Sequence, residues 1–377
     1  MDAPKKIKVR EARLYSRPAS LRMPFHFGNA KIENIDCALL RIVVEDEDGT
    51  STPGIGGSIF SPMWFEKNPE KSFAVRQQAL EDSIAQAARL YQSHEGASAW
   101  DLHQELEAET RRLNANGCFN DLTASFGCAL LDSAIIDGIC RATDQGLHGA
   151  IKTNALGLGK EFSTLLPVAP PRHVNVRHTV GLIDPLRNEE LSEPLADGLP
   201  QSLEEVIDTY GIRWFKLKAS ANQEEVLSRL REVNALLTEK LGTGNFRITI
   251  DANEQFQTPG DFLSFLQVFG SVDDLSDFRE QVLWIEQPLQ RDAALEEEFA
   301  EELKEINRYI PIIIDESNGT DDAFETAIRL GYRGVSAKNC KGPFRTLKNF
   351  EIIELHNRSN PENPLHLSSE DLTNVPI

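Results

Sequence analysis

The stretch Trp214-Phe215-Lys216-Leu217-Lys218-Ala219 alternates apolar and basic side chains, the pattern of a β-strand in which residues two apart share a face. Lys216 and Lys218 therefore point one way and Phe215 and Leu217 the other. Two ammonium groups held that close repel, and each lowers the pKa of the other, as does any loss of water around them. A lysine brought toward neutrality can act as a base. Alone, a Lys-x-Lys pair reads better as the solvated face of an edge strand. The residues that follow it decide.

From about residue 174 short apolar segments alternate with amphipathic ones. Strands are expected at 174–182, 214–219, 246–251, 282–286, 312–315, 334–337 and 365–367. Helices are expected at 223–240, 261–269, 295–309, 323–330 and 344–358. A repeated strand–helix unit of this kind, roughly 30 residues long, predicts an α/β domain built as a parallel β/α barrel. An open doubly wound sheet is the alternative, since alternation alone does not separate the two.

Three consecutive strands end in a carboxylate, at Asp251, Glu286 and Asp315, and the next ends Ser336-Ala337-Lys338. In a barrel these ends meet at one rim, where barrel active sites sit. For any one acid a helix cap at the strand–helix turn is an ordinary explanation. Three together repel unless a cation neutralises them. Oxygen-only donors favour a hard divalent ion, and Mg2+ keeps positions open for water or substrate. A carboxylate chelated to Mg2+ has its α-proton acidified, because the ion stabilises the enediolate that forms. Lys216 and Lys218 precede the acids by one strand and Lys338 follows them by one. One lysine can remove the proton while the opposite one returns it or assists a leaving group.

The N-terminal part reads differently. Strands at 7–15, 34–45 and 51–55 precede helices at 73–93, 99–114 and 123–145. In the last, Ala129, Leu130, Ala134, Ile135 and Ile139 recur at helical spacing. Strands followed by helices suggest a separate α+β domain, so the chain divides into residues 1–165 and 166–377. Two apolar loops, Arg22-Met23-Pro24-Phe25-His26-Phe27-Gly28 and residues 54–64, offer Met23, Phe25, Phe27, Ile55 and Trp64 as a substrate lid. Packing onto the neighbouring domain is the other reading of them. The glycines at 54, 56 and 57 lack the spacing of a dinucleotide fingerprint. Gly157-Leu158-Gly159-Lys160 likewise falls short of a phosphate-binding loop.

A net charge of −20 over 377 residues argues against a nucleic-acid partner. No signal-peptide pattern opens the chain, and no apolar stretch is expected to span a bilayer, so no membrane partner is expected. The five cysteines are scattered and odd in number, in keeping with reduced thiols of a cytoplasmic protein.

Taken together, Lys216-Leu217-Lys218, Asp251-Ala252-Asn253, Glu286-Gln287-Pro288, Asp315-Glu316-Ser317 and Ser336-Ala337-Lys338 resemble the enolase superfamily, in its muconate-lactonizing-enzyme-like subgroup. The stretch 129–137 is similar to that family's last capping-domain helix. The resemblance implies a modified TIM barrel of the (β/α)7β type behind an α+β cap. It implies Asp251, Glu286 and Asp315 as Mg2+ ligands, Lys218 and Lys338 as acid/base pair, and Lys216 beside the substrate carboxylate, tuning Lys218. Asn253 and Glu316 would orient the ligands or Lys338. It also implies an eighth strand and a C-terminal tail, whereas this sequence stops just past the seventh, so the natural protein is expected to be longer. Glu370, near that seventh strand's end, is a candidate substrate contact, a helix-start acid being its plainer role. The expected activity is α-proton abstraction from a small carboxylate by a homo-oligomeric racemase or epimerase. Cycloisomerisation and β-elimination are the alternatives, and a barrel that binds without turnover is the alternative of another class.

Overall fold

The computed structural model describes residues 4–27, 30–114 and 119–370. Three antiparallel strands open the chain, β1 (Ile7–Phe27), β2 (Ala30–Asp46) and β3 (Ser51–Ile59), in the order β1-β2-β3. Along β2 the residues Ala38, Leu40, Ile42 and Val44 are buried, the period-2 face that a sheet turns to its core. Helices Phe73–Ser93 and Asp121–Thr143 cover the sheet and Ala99–Leu113 packs on those two, the three capped at Ser72, Asn120 and Ser98 by side chains that accept from backbone N–H groups.

Helix Asp121–Thr143 is long and apolar enough to cross a bilayer, contrary to the expectation that no such stretch exists. Its apolarity has another cause: 89% of the apolar window is buried inside the protein. Gly54 and Gly56 on β3 let this helix approach. A Cβ at Gly56 would lie 2.5 Å from the Leu130 carbonyl oxygen and 3.1 Å from the Ala134 nitrogen, both backbone atoms that cannot yield. Gly56→Ala is therefore expected to destabilise the protein by about 1–3 kcal/mol through overpacking. An unchanged urea midpoint for that variant would refute the contact.

The expected loop at 22–28 is instead the outer part of a long hairpin. β1 and β2 pair from Ile7↔Asp46 to Phe27↔Ala30, while β3 covers β2 only from Cys37 to Glu45. Beyond Cys37 the hairpin continues as a two-stranded ribbon. Its Arg22 ties it to a loop of the second half, donating to Asp197 Oδ2 at 2.5 Å and Oδ1 at 2.7 Å and to the Leu199 and Pro200 carbonyls.

Seven parallel strands follow: β4 (Arg177–Val180), β5 (Trp214–Lys218), β6 (Arg247–Asp251), β7 (Val282–Glu286), β8 (Ile312–Ile313), β9 (Gly334–Ala337) and β10 (His366–Ser369). They lie side by side in chain order, β8 meeting β9 through the bridge Ile314↔Val335. A doubly wound sheet would reverse its order at a switch point, so this is the barrel arrangement. Among the described residues no backbone ladder joins β10 to β4. Arg177 of β4 instead donates to Ser368 Oγ at 2.8 Å and to Thr249 Oγ1 at 3.0 Å.

The cap and the barrel keep separate apolar cores, although the cap core extends onto Cys340 and Phe344 of the barrel. A buried polar network crosses the same boundary. His103 of the cap places Nδ1 2.7 Å from Asp132 and Nε2 2.9 Å from Asp321, on the segment after β8. The Tyr91 hydroxyl donates to Asp132 and the Arg345 guanidinium to Asp321.

Candidate active site

The in-phase alternation of β5 puts Lys216 and Lys218 on one face, as expected, and the ladder sets Lys218 beside Asp251 and Asp251 beside Glu286. The Lys216 ammonium is buried, 2.8 Å from Asp251 Oδ2, 2.9 Å from Glu286 Oε1 and 2.5 Å from Glu370 Oε2. Lys218 donates to Asp251 Oδ2 at 2.6 Å and to Asn253 Oδ1 at 2.7 Å. Lys338, at the end of β9, pairs with Asp315 and lies 2.6 Å from Glu370 Oε1, under the Trp64 ring at 5.0 Å.

Mutual repulsion does not set the state of Lys216. Burial would lower its pKa, but Asp251, Glu286 and Glu370 outweigh burial and hold the ammonium above the ordinary lysine range. Lys338 is raised in the same way, with Asp315 and Glu370 overcoming desolvation. The expected depression is thus reversed, because the acids at this rim are close enough to each amine to decide the sign. Glu286 goes the other way. Burial and its neighbours Asp251, Glu370 and Asp315 push it up to about 8 in spite of Lys216.

Oxygens of Glu286, Asp315 and Glu370 lie within 4.8 Å of one another. Of the three acids expected as ligands, Glu286 and Asp315 are in this cluster. Asp251 lies beside it, its Oδ2 held by Lys216 and Lys218, and Glu370 takes the third place. The donor set suits a hard divalent cation: carboxylate oxygens only, with Glu286 Oε2 buried and without a hydrogen-bond partner. Asn253 and Glu316, expected to orient the ligands or Lys338, meet beside this cluster: the Asn253 amide donates to Glu316 Oε1 at 3.2 Å, and Asn253 Oδ1 accepts from Lys218.

The turns after β6 and β7 carry unusual backbone. Asn253, Glu254 and Gln287 have φ of 43°, 68° and 39°, a left-handed region costly for side-chain-bearing residues and concentrated at functional sites. Gln287 makes the strain useful. Its Oε1 accepts from the Asp315 and Ser317 amides and its Nε2 donates to Ser317 Oγ and the Leu289 carbonyl. The segment that carries Asp315 is fixed from beneath.

Over these groups lies a cavity of about 610 Å³, floored by Lys216, Lys218, Lys338 and Glu370 and roofed by Met23, Phe25, Ile59 and Trp64. Ile55, expected in the lid, is not at this cavity. It pairs with Arg41 in the sheet and its amide donates to Asp137; Ile59, two turns of alternation further on, takes the wall position. The side chain of Phe27 lies outside the described residues.

Residues 199–364 match the family described as enolase C-terminal domain-like. This barrel is an enolase-superfamily domain. No curated protein matches the sequence. Solved structures do, and the enolase fold extends over the cap as well. An enolase from Bradyrhizobium complexed with magnesium and mandelic acid is 14% identical, covers 97% of this chain and 82% of its own, and has a TM-score of 0.64. A dipeptide epimerase from Enterococcus faecalis, complexed with Mg and L-Leu-L-Tyr, is 19% identical with coverage of 97% and 82% and a TM-score of 0.60. An N-succinyl Arg/Lys racemase from Bacillus cereus is 16% identical with coverage of 97% and 80% and a TM-score of 0.60.

Three residues of this enolase-type rim escaped the sequence reading. Lys341 is buried, and its ammonium donates to Asp315 Oδ1 at 2.8 Å, the Asp315 carbonyl at 3.0 Å and the Ser336 carbonyl at 2.5 Å. Its signal was the spacing Lys338-Asn339-Cys340-Lys341, one short helical turn. Gln287 was legible only as part of a motif. Arg177, reaching Glu370 at 3.4 Å, sits alone on β4 and left no pattern to read.

Proposed function

We propose that the protein is an Mg2+-dependent enzyme that abstracts the α-proton of a small carboxylate substrate, acting as a racemase or epimerase. The observation that carries this reading is the placement of Lys218 and Lys338 four strands apart at one cavity, with the acid cluster between them. Glu286 and Asp315 would hold the ion, flanked by Asp251 and Glu370, each of which has an oxygen on Lys216. Mg2+ bound there supplies the positive charge that makes a chelated acid's α-proton removable. Lys218 and Lys338 serve as the proton carriers, and Lys216 meets the substrate carboxylate. Carboxylates engaged by a cation would no longer hold the Lys338 amine so strongly, which would bring its raised pKa down toward the range a base needs. Cycloisomerisation and β-elimination begin with the same step and remain the alternatives within this reading. Two structural neighbours are an epimerase and a racemase by name, which supports the order of preference. The thiols Cys37, Cys128 and Cys140, in no disulfide among the described residues, fit a reducing, cytoplasmic setting, and a homo-oligomer is the assembly we expect.

The test is solvent deuterium wash-in at the α-carbon across a library of acyl amino acids, dipeptides and hydroxy acids. Exchange is expected with Mg2+ present and is expected to vanish with chelator. No exchange for any acid, with metal in excess, would leave the non-catalytic barrel as the reading.

A further inference from the structure

Behind Asn253, away from the cavity just described, lies a second and polar cavity of about 730 Å³. It opens between the cap segment after Phe65 and the barrel turns at Glu254–Gln255 and Gln290–Asp292, and Arg76 lines it. Six cationic side chains are buried among the described residues: Arg76, His103, Lys216, Lys338, Lys341 and Arg345. Five of them have a carboxylate within ion-pair distance. Arg76, only 5% exposed, has none among the described residues. Its Nη2 donates to the Asn68 carbonyl at 2.6 Å, its Nη1 lies against Met63 Sδ at 2.5 Å, and its Nε has no partner.

A guanidinium cannot shed its proton to escape this position, and a buried charge without a counter-ion is strongly unfavourable. Arg76 also falls in the first turn of helix Phe73–Ser93, where unpaired N–H groups already make the potential positive. The carboxylates nearby are committed elsewhere. Glu66 is held by Lys71 at 2.5 Å, and Glu254 by Arg291 at 2.8 Å and by Lys67. Asp292 is exposed and makes no ion pair with Arg76.

We propose that this cavity is a binding site for a small oxyanion, a carboxylate or a phosphate group, with Arg76 as its principal donor. The site joins cap to barrel. Arg291, which shares its wall, donates to the Trp64 and Phe65 carbonyls at 3.0 and 2.9 Å, so an occupant would brace the turn that seats Trp64 over Lys338. It is separate from the reaction proposed above and does not depend on it.

The test is a titration of the full chain, in chelator and at ionic strength held constant with sodium chloride, with sodium phosphate, sodium sulfate and sodium malonate, read by calorimetry and melting temperature. Saturable binding of at least one is expected in the wild type, and Arg76→Met is expected to weaken it by about 10- to 100-fold. Preference for phosphate and sulfate over malonate, or the reverse, identifies which oxyanion the site takes. Should Arg76→Met fail to fold, a crystal soaked in the tightest binder takes its place beside the wild-type titration, and the anion must lie on the Arg76 guanidinium, not on the lysines of the other cavity. Absence of saturable binding there overturns the proposal, and so does binding that Arg76→Met leaves unchanged.

Discussion

Replacement of Lys338 by alanine is expected to slow α-proton exchange by about 10²–10⁴-fold, the range a positioned acid/base group contributes. The amine lies at the end of β9, fixed by Asp315 and Glu370 and covered by Trp64, and unlike Lys341, which shares Asp315, it lines the cavity. Lys218, four strands away, approaches the same cavity from the side of Asp251 and Asn253. In a two-base reaction the loss is stereochemically divided: Lys338→Ala silences exchange from one enantiomer and Lys218→Ala from the other. Proton NMR of each pure enantiomer in D2O reads this directly. Calorimetric Mg2+ binding should survive in both variants, since the carboxylates are untouched, and should tighten where a competing ammonium has been removed. Retained exchange from both enantiomers in Lys338→Ala would remove this lysine from the chemistry.

His103→Leu is expected to cost about 3 kcal/mol of stability, the lower end of what breaking a buried ion pair costs, because Tyr91 and Arg345 still serve Asp132 and Asp321. Burial alone would lower the His103 pKa. The carboxylates of Asp132 and Asp321 overcome it and raise the imidazole from 6.5 to about 10. A folded-state pKa above the unfolded one means that the stabilisation is complete below about 6.5 and is withdrawn as pH rises through about 10. The wild type should therefore lose urea stability between neutral pH and about 10, and the leucine variant should lose less over that window. Parallel pH profiles for the two proteins would show that this imidazolium does not join cap to barrel.

The barrel strands were legible because each is short, apolar and bounded by turn residues, and because alternation on β5 sets both lysines on one face. The acids at 251, 286 and 315 followed from position alone. The hairpin was legible only in its inner half. From Leu14 to Ser20 its residues are mostly exposed on both faces, so no apolar alternation marks a strand and Pro18 suggests a break. The purpose of Gly54 and Gly56 is set by a helix some 80 residues away in sequence, which no local pattern announces. The sign of the Lys216 shift was misread for a related reason. Lys216 and Lys218 are neighbours in sequence, whereas Glu286 and Glu370, which help hold Lys216, arrive from distant strands. Lys341 and Arg177 were missed on the same ground: each acts on a partner that only the closed rim brings near.

The ribbon beyond Cys37 is held at its root by β3 and at mid-length by Arg22 on Asp197, and it carries Met23 and Phe25 out over the cavity. It works as a cantilever. Its tip can be recut by mutation, changing what fits beneath, while the amines and acids of the rim keep their places on a separate foundation. The shape of the space beneath can therefore change with no change to the charged rim that floors it.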